Sequence, residues 1–314
     1  MLNLEEFSIF QDFGKKENDL YESLTIIKEK ESELFFVKKT SKYILENEIK
    51  RKYFENEVYV NLNYDHDNIV KFYEKKQILN DTYLIFEFAN GGNLNDYFQS
   101  YQEKNGKPLP EEIVQRIIKQ VSSALKYLFD NQIIFRNLST DHIYLFFDTQ
   151  EDLDNFDISK ATFKIGNFNF SKILKDNSLT NTFIGIPLYM DPNILINSKS
   201  KDNISYGFKA DVWSLGAICF ELLTGITPFD GEDFDGLVQK VKIGTFKIPK
   251  KLNLSKEAIN FIRGMLIYDP EKRFDINDVV EHDFLNKNVN EFAHEGYEEF
   301  GEVNENEIIL NINN

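Results

Sequence analysis

Two periodicities divide the chain. Up to about residue 88, apolar and polar positions alternate over short runs, as in Ser23-Leu24-Thr25-Ile26-Ile27 and Glu33-Leu34-Phe35-Phe36-Val37. That is the pattern of half-buried strands. Farther on the spacing lengthens to about 3.6 residues, and Glu112 to Val121, continued by Leu125 and Leu128, gathers its apolar side chains on one helical face. Pro108 and Pro110 fix where that helix begins. The patterning predicts an α+β chain: a β-rich part with one helix over residues 1–88, and a mainly helical part over 89–286.

Two segments depart from this pattern. Residues 148–161 insert an acidic stretch, Asp148-Thr149-Gln150-Glu151-Asp152-Leu153-Asp154, between two short strands. It predicts a solvated loop, with a docking surface as the alternative. The tail, residues 287–314, holds seven Glu and neither Lys nor Arg beyond Lys287, which predicts disorder for most of its length. Its end, Ile308-Ile309-Leu310-Asn311-Ile312, is apolar and β-prone. That cluster is expected to add to a sheet edge, to dock in a groove, or to pack on its own lobe.

Composition narrows the partners. The 314 residues are 42% hydrophobic and 28% charged, ordinary for a soluble domain with a sizeable core. The single cysteine, Cys219, lies in an apolar run, which excludes an internal disulfide framework and predicts a buried thiol. The first residues, Met1 to Glu6, lack the charge and apolar core of a leader, and no apolar run reaches membrane-spanning length, so a cytoplasmic location is expected. A net charge of −16 argues against nucleic acid and anionic membranes as partners and leaves protein partners.

Ordered motifs then set a frame. Leu34-Phe35-Phe36-Val37-Lys38 is followed by Glu57 on an amphipathic stretch and by His66-Asp67-Asn68-Ile69-Val70. Next come Tyr83-Leu84-Ile85-Phe86-Glu87-Phe88 and Gly91-Gly92-Asn93-Leu94. Farther along stand Ile134-Phe135-Arg136-Asn137-Leu138-Ser139-Thr140-Asp141-His142, Lys164-Ile165-Gly166-Asn167-Phe168-Asn169, Gly185-Ile186-Pro187-Leu188-Tyr189-Met190-Asp191-Pro192-Asn193, Asp211-Val212-Trp213-Ser214-Leu215-Gly216 and Asp269-Pro270-Glu271-Lys272-Arg273. In this order and spacing, over roughly residues 7 to 286, they resemble the motifs of the eukaryotic protein kinase superfamily. The texture is nearest to Ser/Thr kinases of the ULK or calmodulin-dependent type. The resemblance implies a bilobal kinase fold, with residues 89–286 forming the hinge and large lobe.

The same alignment implies that the chemistry has gone. Asn137 takes the place of the Asp base, and an amide accepts no proton at physiological pH; such a base is ordinarily worth about 10²–10⁴-fold. Asn167 and His142 take the two metal-ligand places. Mg²⁺ prefers anionic oxygen ligands, whereas imidazole suits softer metals. No catalytic residue and no metal site is therefore expected.

Aligned as G-x-G-x-x-G-x-V, the loop keeps only Gly14, with Tyr21 as its final apolar residue. The resemblance puts Tyr21, Phe36 and Tyr144 around the adenine slot. Three aromatic rings there would stack and fill it, because interiors are close-packed. Phe86 would be the gatekeeper, with Glu87, Phe88 and Ala89 as the hinge. Lys38 and Glu57 would hold nucleotide phosphates or form a structural ion pair; a register shift to Lys39 is the alternative. No cofactor is expected, with ATP bound without Mg²⁺ as the alternative.

Among the architectural residues, Asp211 would brace the catalytic-loop backbone and Arg136 would hold the activation segment. Phe168 and Phe135 would form a spine with Phe72, weakened by the polar Asn61. Arg273 has lost its family partner, since Asn193 replaces a Glu, and Asp191 is expected to replace it. The expected function is that of a pseudokinase, acting as scaffold or allosteric partner. A weak or unconventional ATP-dependent Ser/Thr kinase, or a nucleotide sensor, is the alternative.

Overall fold

The computed structural model describes residues 7–12, 20–21, 23–29, 33–174, 185–196 and 207–313. The small lobe is one antiparallel sheet of strands β1 (Phe7–Asp12), β2 (Ser23–Glu29), β3 (Glu33–Ser41), β4 (Phe72–Ile78) and β5 (Asp81–Glu87), ordered β1-β2-β3-β5-β4. Its register places Lys38 opposite Leu24 on one side and Leu84 on the other. Cross-strand partners share a face of the sheet, so Leu24, Lys38 and Leu84 look the same way. Helix α1 (Glu48–Asn63) packs against that face, with Phe54 and Val58 against Leu20, Tyr21, Leu84 and Phe86. Asn47 starts it, its side chain accepting the backbone N–H groups of Ile49 and Lys50.

In the large lobe, α2 (Leu94–Asn105) and α3 (Glu111–Asp130) follow the hinge. Pro110 precedes α3, whose inward stripe of Val114, Ile117, Ile118, Val121, Leu125 and Leu128 is buried. Short strands β6 (Ile133–Ile134) and β7 (Ile143–Phe146) flank the catalytic-loop motif. After the insertion come β8 (Thr162–Ile165), paired with β7, and β9 (Lys172–Ile173), paired with β6. α5 (Pro192–Ile196) precedes α6 (Lys209–Thr224), which is buried along most of its length.

The insertion is mostly solvated, as expected, but it is not all loop. It forms α4 (Gln150–Asn155), N-capped by Thr149, and then turns through Phe156 in the left-handed region, φ 47°. The Phe156 ring stacks on Tyr97 of α2 at 5.5 Å and meets Phe147 edge-on at 5.0 Å, while Ile158 is buried. Four acidic residues dominate the stretch, but two apolar side chains just beyond them tie it to the lobe.

The tail is also ordered. Beyond α7 (Phe234–Ile243), β10 (Thr245–Pro249), α8 (Lys256–Met265), α9 (Ile276–Glu281) and α10 (Asp283–Asn286), strands β11 (Glu302–Val303) and β12 (Glu307–Asn311) join β10 in the order β10-β12-β11. Ile308, Leu310 and Ile312 are buried, as are Phe292 and Phe300. The expectation of disorder fails because charge was weighed over the whole tail. The alternation in β12 turns its apolar side chains inward and leaves the surrounding Glu side chains at the surface. The apolar cluster is therefore part of the lobe's own core. Among the described residues, no helix is long and apolar enough to cross a membrane.

Candidate active site

The pleat of β3 decides which lysine enters the cleft. Lys38 Nζ lies 2.6 Å from Glu57 Oε1 of α1, and both side chains are buried. Lys39, pointing to the other face, pairs with Asp81 at 2.8 Å. Phe72 meets Phe86 at 5.2 Å, and Lys38 Nζ stands over the Phe86 ring at 5.4 Å.

Across the cleft, the loop after β6 is held from beneath. Asp211 accepts the backbone N–H groups of Phe135 and Arg136, each at 2.8 Å. Burial raises the Asp211 carboxyl to about 6, against the pull of those two hydrogen bonds. They help hold Arg136 at φ 66°, an unfavourable conformation for a side chain of its size. The Arg136 guanidinium then reaches the segment after Asn167, Nε donating to the Phe170 carbonyl at 2.5 Å. Phe135 and Phe168 meet edge-on at 5.0 Å. Asn61 donates to the Glu57 carbonyl of its own helix at 2.8 Å.

This architecture has a matching sequence signature: the protein kinase domain profile covers residues 22–285. The chain belongs to the protein kinase family. It is similar to the probable serine/threonine-protein kinase nek3 of Dictyostelium discoideum, 32% identical over 233 residues, 74% of this chain and 19% of that protein. Serine/threonine-protein kinase atg1 of the same organism is 32% identical over 245 residues, 74% of this chain and 33% of that protein. The ovarian-specific serine/threonine-protein kinase Lok of Drosophila melanogaster is 32% identical over 232 residues, 73% and 45% respectively. The chain thus spans less than half the length of these relatives.

Within the kinase cleft, the residues at the two metal-ligand places are hydrogen-bonded to each other. Lys38 Nζ donates to Asn167 Oδ1 at 3.0 Å, and Asn167 Nδ2 lies 3.0 Å from His142 Nε2. With its oxygen taken by the lysine, the amide must donate to the ring. His142 Nε2 is then an acceptor, and Nδ1 carries the proton, which it gives to the Asn137 carbonyl at 2.8 Å. Burial lowers the His142 pKa and favours this neutral ring. The magnesium ion that bridges nucleotide phosphates in kinases does not fit this donor set. Neither position offers a carboxylate, and the imidazole nitrogen and amide oxygen are already engaged. Among the described residues, no group of three or more His, Cys, Asp or Glu is arranged to hold a metal.

The adenine slot differs from the sequence expectation. A cavity of about 700 Å³ remains between the lobes, lined by Leu24, Ile26, Phe36, Val70, Phe86 and Tyr144 among others. The three aromatics do not close it. Tyr21 precedes β2 and turns its hydroxyl to Glu57 Oε2, so that Glu57 holds both Lys38 and Tyr21. Burial foremost, and then the Glu57 charge, raises the Tyr21 pKa and keeps the phenol a donor.

The residue facing inward opposite Lys38 is Leu24, which the sequence reading missed because it aligned on the surviving Gly14. Counting the family spacing back from Leu24 puts the three glycine places at Glu17, Asp19 and Glu22. Those residues and Gly14 lie outside the described ones.

At the hinge, the Glu87 carboxylate accepts from Lys164 Nζ at 2.8 and 2.9 Å. Phe88 and Ala89 line the cavity beside it. Asn93 and Asp96, which the sequence reading did not single out, complete its mouth. Pairing of Asn93 with Tyr144 across an isolated bridge would have been needed to find them.

Below the cleft, Arg273 Nη1 lies 2.5 Å from Asp191 Oδ2, both buried, and the same nitrogen donates to the Lys209 carbonyl. Asn193 occupies the family Glu position and donates to the Tyr268 carbonyl. The segment between Asn167 and Gly185 also offers Thr180 and Thr182 as candidate phosphosites for Arg136 to read, and both lie outside the described residues.

Proposed function

We propose that this chain is a pseudokinase, a kinase-fold protein that performs no Mg²⁺-dependent phosphoryl transfer and acts as a scaffold or allosteric partner of other proteins. The observation that carries this reading is the chain of hydrogen bonds Lys38–Asn167–His142–Asn137. Phosphoryl transfer depends on a metal bridging the phosphates, a lysine free to hold them and a residue that accepts or orients the hydroxyl proton. Here the lysine, both metal positions and the carbonyl of the base position form one closed network. Arg136, Asp211, Phe135 and Phe168 meanwhile hold the lobes as a working frame, the combination suited to a binding surface.

A weak or unconventional Ser/Thr kinase is the second reading. The formed Lys38–Glu57 pair and the open cavity favour it, and the relatives above are named as serine/threonine-protein kinases.

The deciding experiment follows radiolabelled phosphate from ATP, with Mg²⁺ or Mn²⁺, onto the chain itself and onto a generic Ser/Thr peptide. No transfer above a no-protein control is expected. Transfer that disappears in Lys38→Met would sink the pseudokinase reading and establish the second.

A further inference from the structure

We propose that a groove of the large lobe, between α3, the end of α10 and the turn that closes the insertion, docks a short acidic peptide segment of a partner protein. The groove encloses about 660 Å³ and shares no lining residue with the cleft between the lobes. Its chemistry is therefore independent of whether the cleft transfers phosphate.

Hydrogen bonds between distant segments build the groove. Gln115 Nε2 of α3 donates to the carbonyls of Phe284 at 2.6 Å and Lys287 at 2.8 Å. Lys119 Nζ, one turn farther along α3, donates to the Leu285 carbonyl at 3.2 Å. These bonds tie the end of α10 to α3, so the groove is formed before any ligand arrives, which lowers the ordering cost of binding. On the insertion side, Arg116 Nη2 donates to the Ala161 carbonyl at 3.0 Å. That bond orients the guanidinium, which offers five N–H donors in all. The lining also has an apolar part. Ile113 and Val289 are partly buried against the core, and Leu285 is buried.

The groove reverses the charge of the chain around it. The net charge is −16, yet the lining holds Arg116, Lys119 and Lys287 against one carboxylate, Glu112. Lys287 is matched by Asp283 at 2.6 Å. Arg116 and Lys119 have no carboxylate partner among the described residues; their bonds go to neutral backbone carbonyls. Three positions apart on one helix, the two cations lie on the same face. An incoming carboxylate would add charge-assisted hydrogen bonds, two of them in parallel at the arginine. Glu112 stands one turn before Arg116 and makes no ion pair with it, so it is the like charge that such a ligand would meet.

The lining favours a peptide over a nucleic acid. Nucleic-acid binding gains from neutralising many phosphates along a stripe of cations. Here two unmatched cations stand beside apolar side chains on an acidic chain. A peptide with apolar residues between its carboxylates uses both parts of the lining.

The test is fluorescence anisotropy of a short labelled peptide, Glu pairs separated by Leu, titrated with the full chain. Saturable binding is expected, weakened by added salt and absent for the same peptide with Gln in place of every Glu. Arg116→Gln combined with Lys119→Gln should weaken binding at least about fivefold, the scale of two exposed ion pairs. Glu112→Gln should tighten binding, a gain that a folding defect would not produce.

No binding of the Glu peptide at submillimolar protein would overturn the proposal, and so would equal binding of the Gln peptide. Affinity unmoved by both the Arg116/Lys119 and the Glu112 substitutions would overturn the assignment to this groove. Displacement of the peptide by an oligouridylate of matched charge would replace the peptide with a nucleic acid. A wild-type dimer in sedimentation velocity that Arg116→Glu dissociates would replace it with a second copy. None of these outcomes alters the phosphate-transfer assay, so failure here leaves the pseudokinase reading standing, and phosphate transfer leaves the groove standing.

Discussion

Asp191 forms an ion pair with Arg273 in the interior of the large lobe, 2.5 Å between Oδ2 and Nη1, and so takes over from position 193 the charge that the family places there. The two residues are 3% and 1% exposed. The guanidinium is otherwise surrounded by backbone carbonyls, those of Ile267, Tyr268 and Lys209, and stands 5.1 Å from the Trp213 ring. Asp191 is the carboxylate that balances its charge.

Removing Asp191 therefore strands a buried cation. Asp191→Ala should cost about 3–5 kcal/mol of stability, read as a fall in the urea midpoint. Adding Asn193→Glu to that variant should recover part of the loss by returning the family arrangement. A loss below about 1 kcal/mol, or no recovery, would count against this account.

The Tyr21 hydroxyl ties the start of β2 to α1 through Glu57. Tyr21→Phe leaves the ring packed on Phe54, 6.4 Å between centroids, and removes only the donor. Hydrogen bonds to charged groups are worth about 1.5–3 kcal/mol, and a thermal shift of that size and direction is expected. Hydrogen exchange of the α1 amides should rise in the same variant. If exchange in α1 is unchanged, Tyr21 does not anchor the helix.

His142 predicts a pH dependence whose sign follows from burial. Its folded pKa lies below the ordinary value of 6.5, so as pH falls through 6.5 the unfolded chain takes up the proton first. Stability from this group is full above that value and is lost as pH falls toward the folded pKa. Asp211 acts the other way. Its carboxyl is raised to about 6, so between about 6 and its unfolded value of 3.8 the folded chain binds more protons and gains stability as pH falls. Comparison with His142→Asn removes the shared Asp211 contribution. The stability of wild type relative to that variant should decline between pH 7 and pH 5.5. A flat difference across that window would refute the neutral, hydrogen-bonded ring.

Deleting residues 287–314 should destabilise the lobe rather than merely release a docking segment. Leu310→Ala alone, at 1% exposure, should cost about 2–5 kcal/mol. Charge-neutralising Glu298→Gln, at an exposed position, should be nearly silent. Equal thermal midpoints for the full and truncated chains would show that β12 contributes nothing to folding.

The motifs, read in order, made the kinase fold legible, because each carries a local physical demand. Pro110 and the stripe from Val114 to Leu128 specify a helix wherever they stand. Asp211 in the first turn of an apolar helix supplies a carboxylate for a backbone that needs one. The losses at Asn137, His142 and Asn167 could be read for the same reason: the functional groups themselves are absent. Less legible were features that depend on register and on partners distant in sequence. Aligning on Gly14 found Tyr21, which does line the cavity, but missed Leu24, which the pairing of β2 with β3 sets opposite Lys38. The acidic composition of the insertion and tail hid the half-exposed Phe156, which stacks on Tyr97 of α2, and the buried Ile158, Leu310 and Ile312, whose packing depends on surfaces distant in sequence.

The sequence by itself thus determined which side chains exist, their periodicity and the chemical groups missing from the catalytic positions, since these are covalent facts and local preferences. Only the tertiary structure decided what those groups do instead. Asn167 bridges Lys38 and His142, Tyr21 shares Glu57 with Lys38, and β12 closes onto β10. Each of these depends on hydrogen bonds or packing between segments far apart in the chain, whose geometry no local pattern encodes.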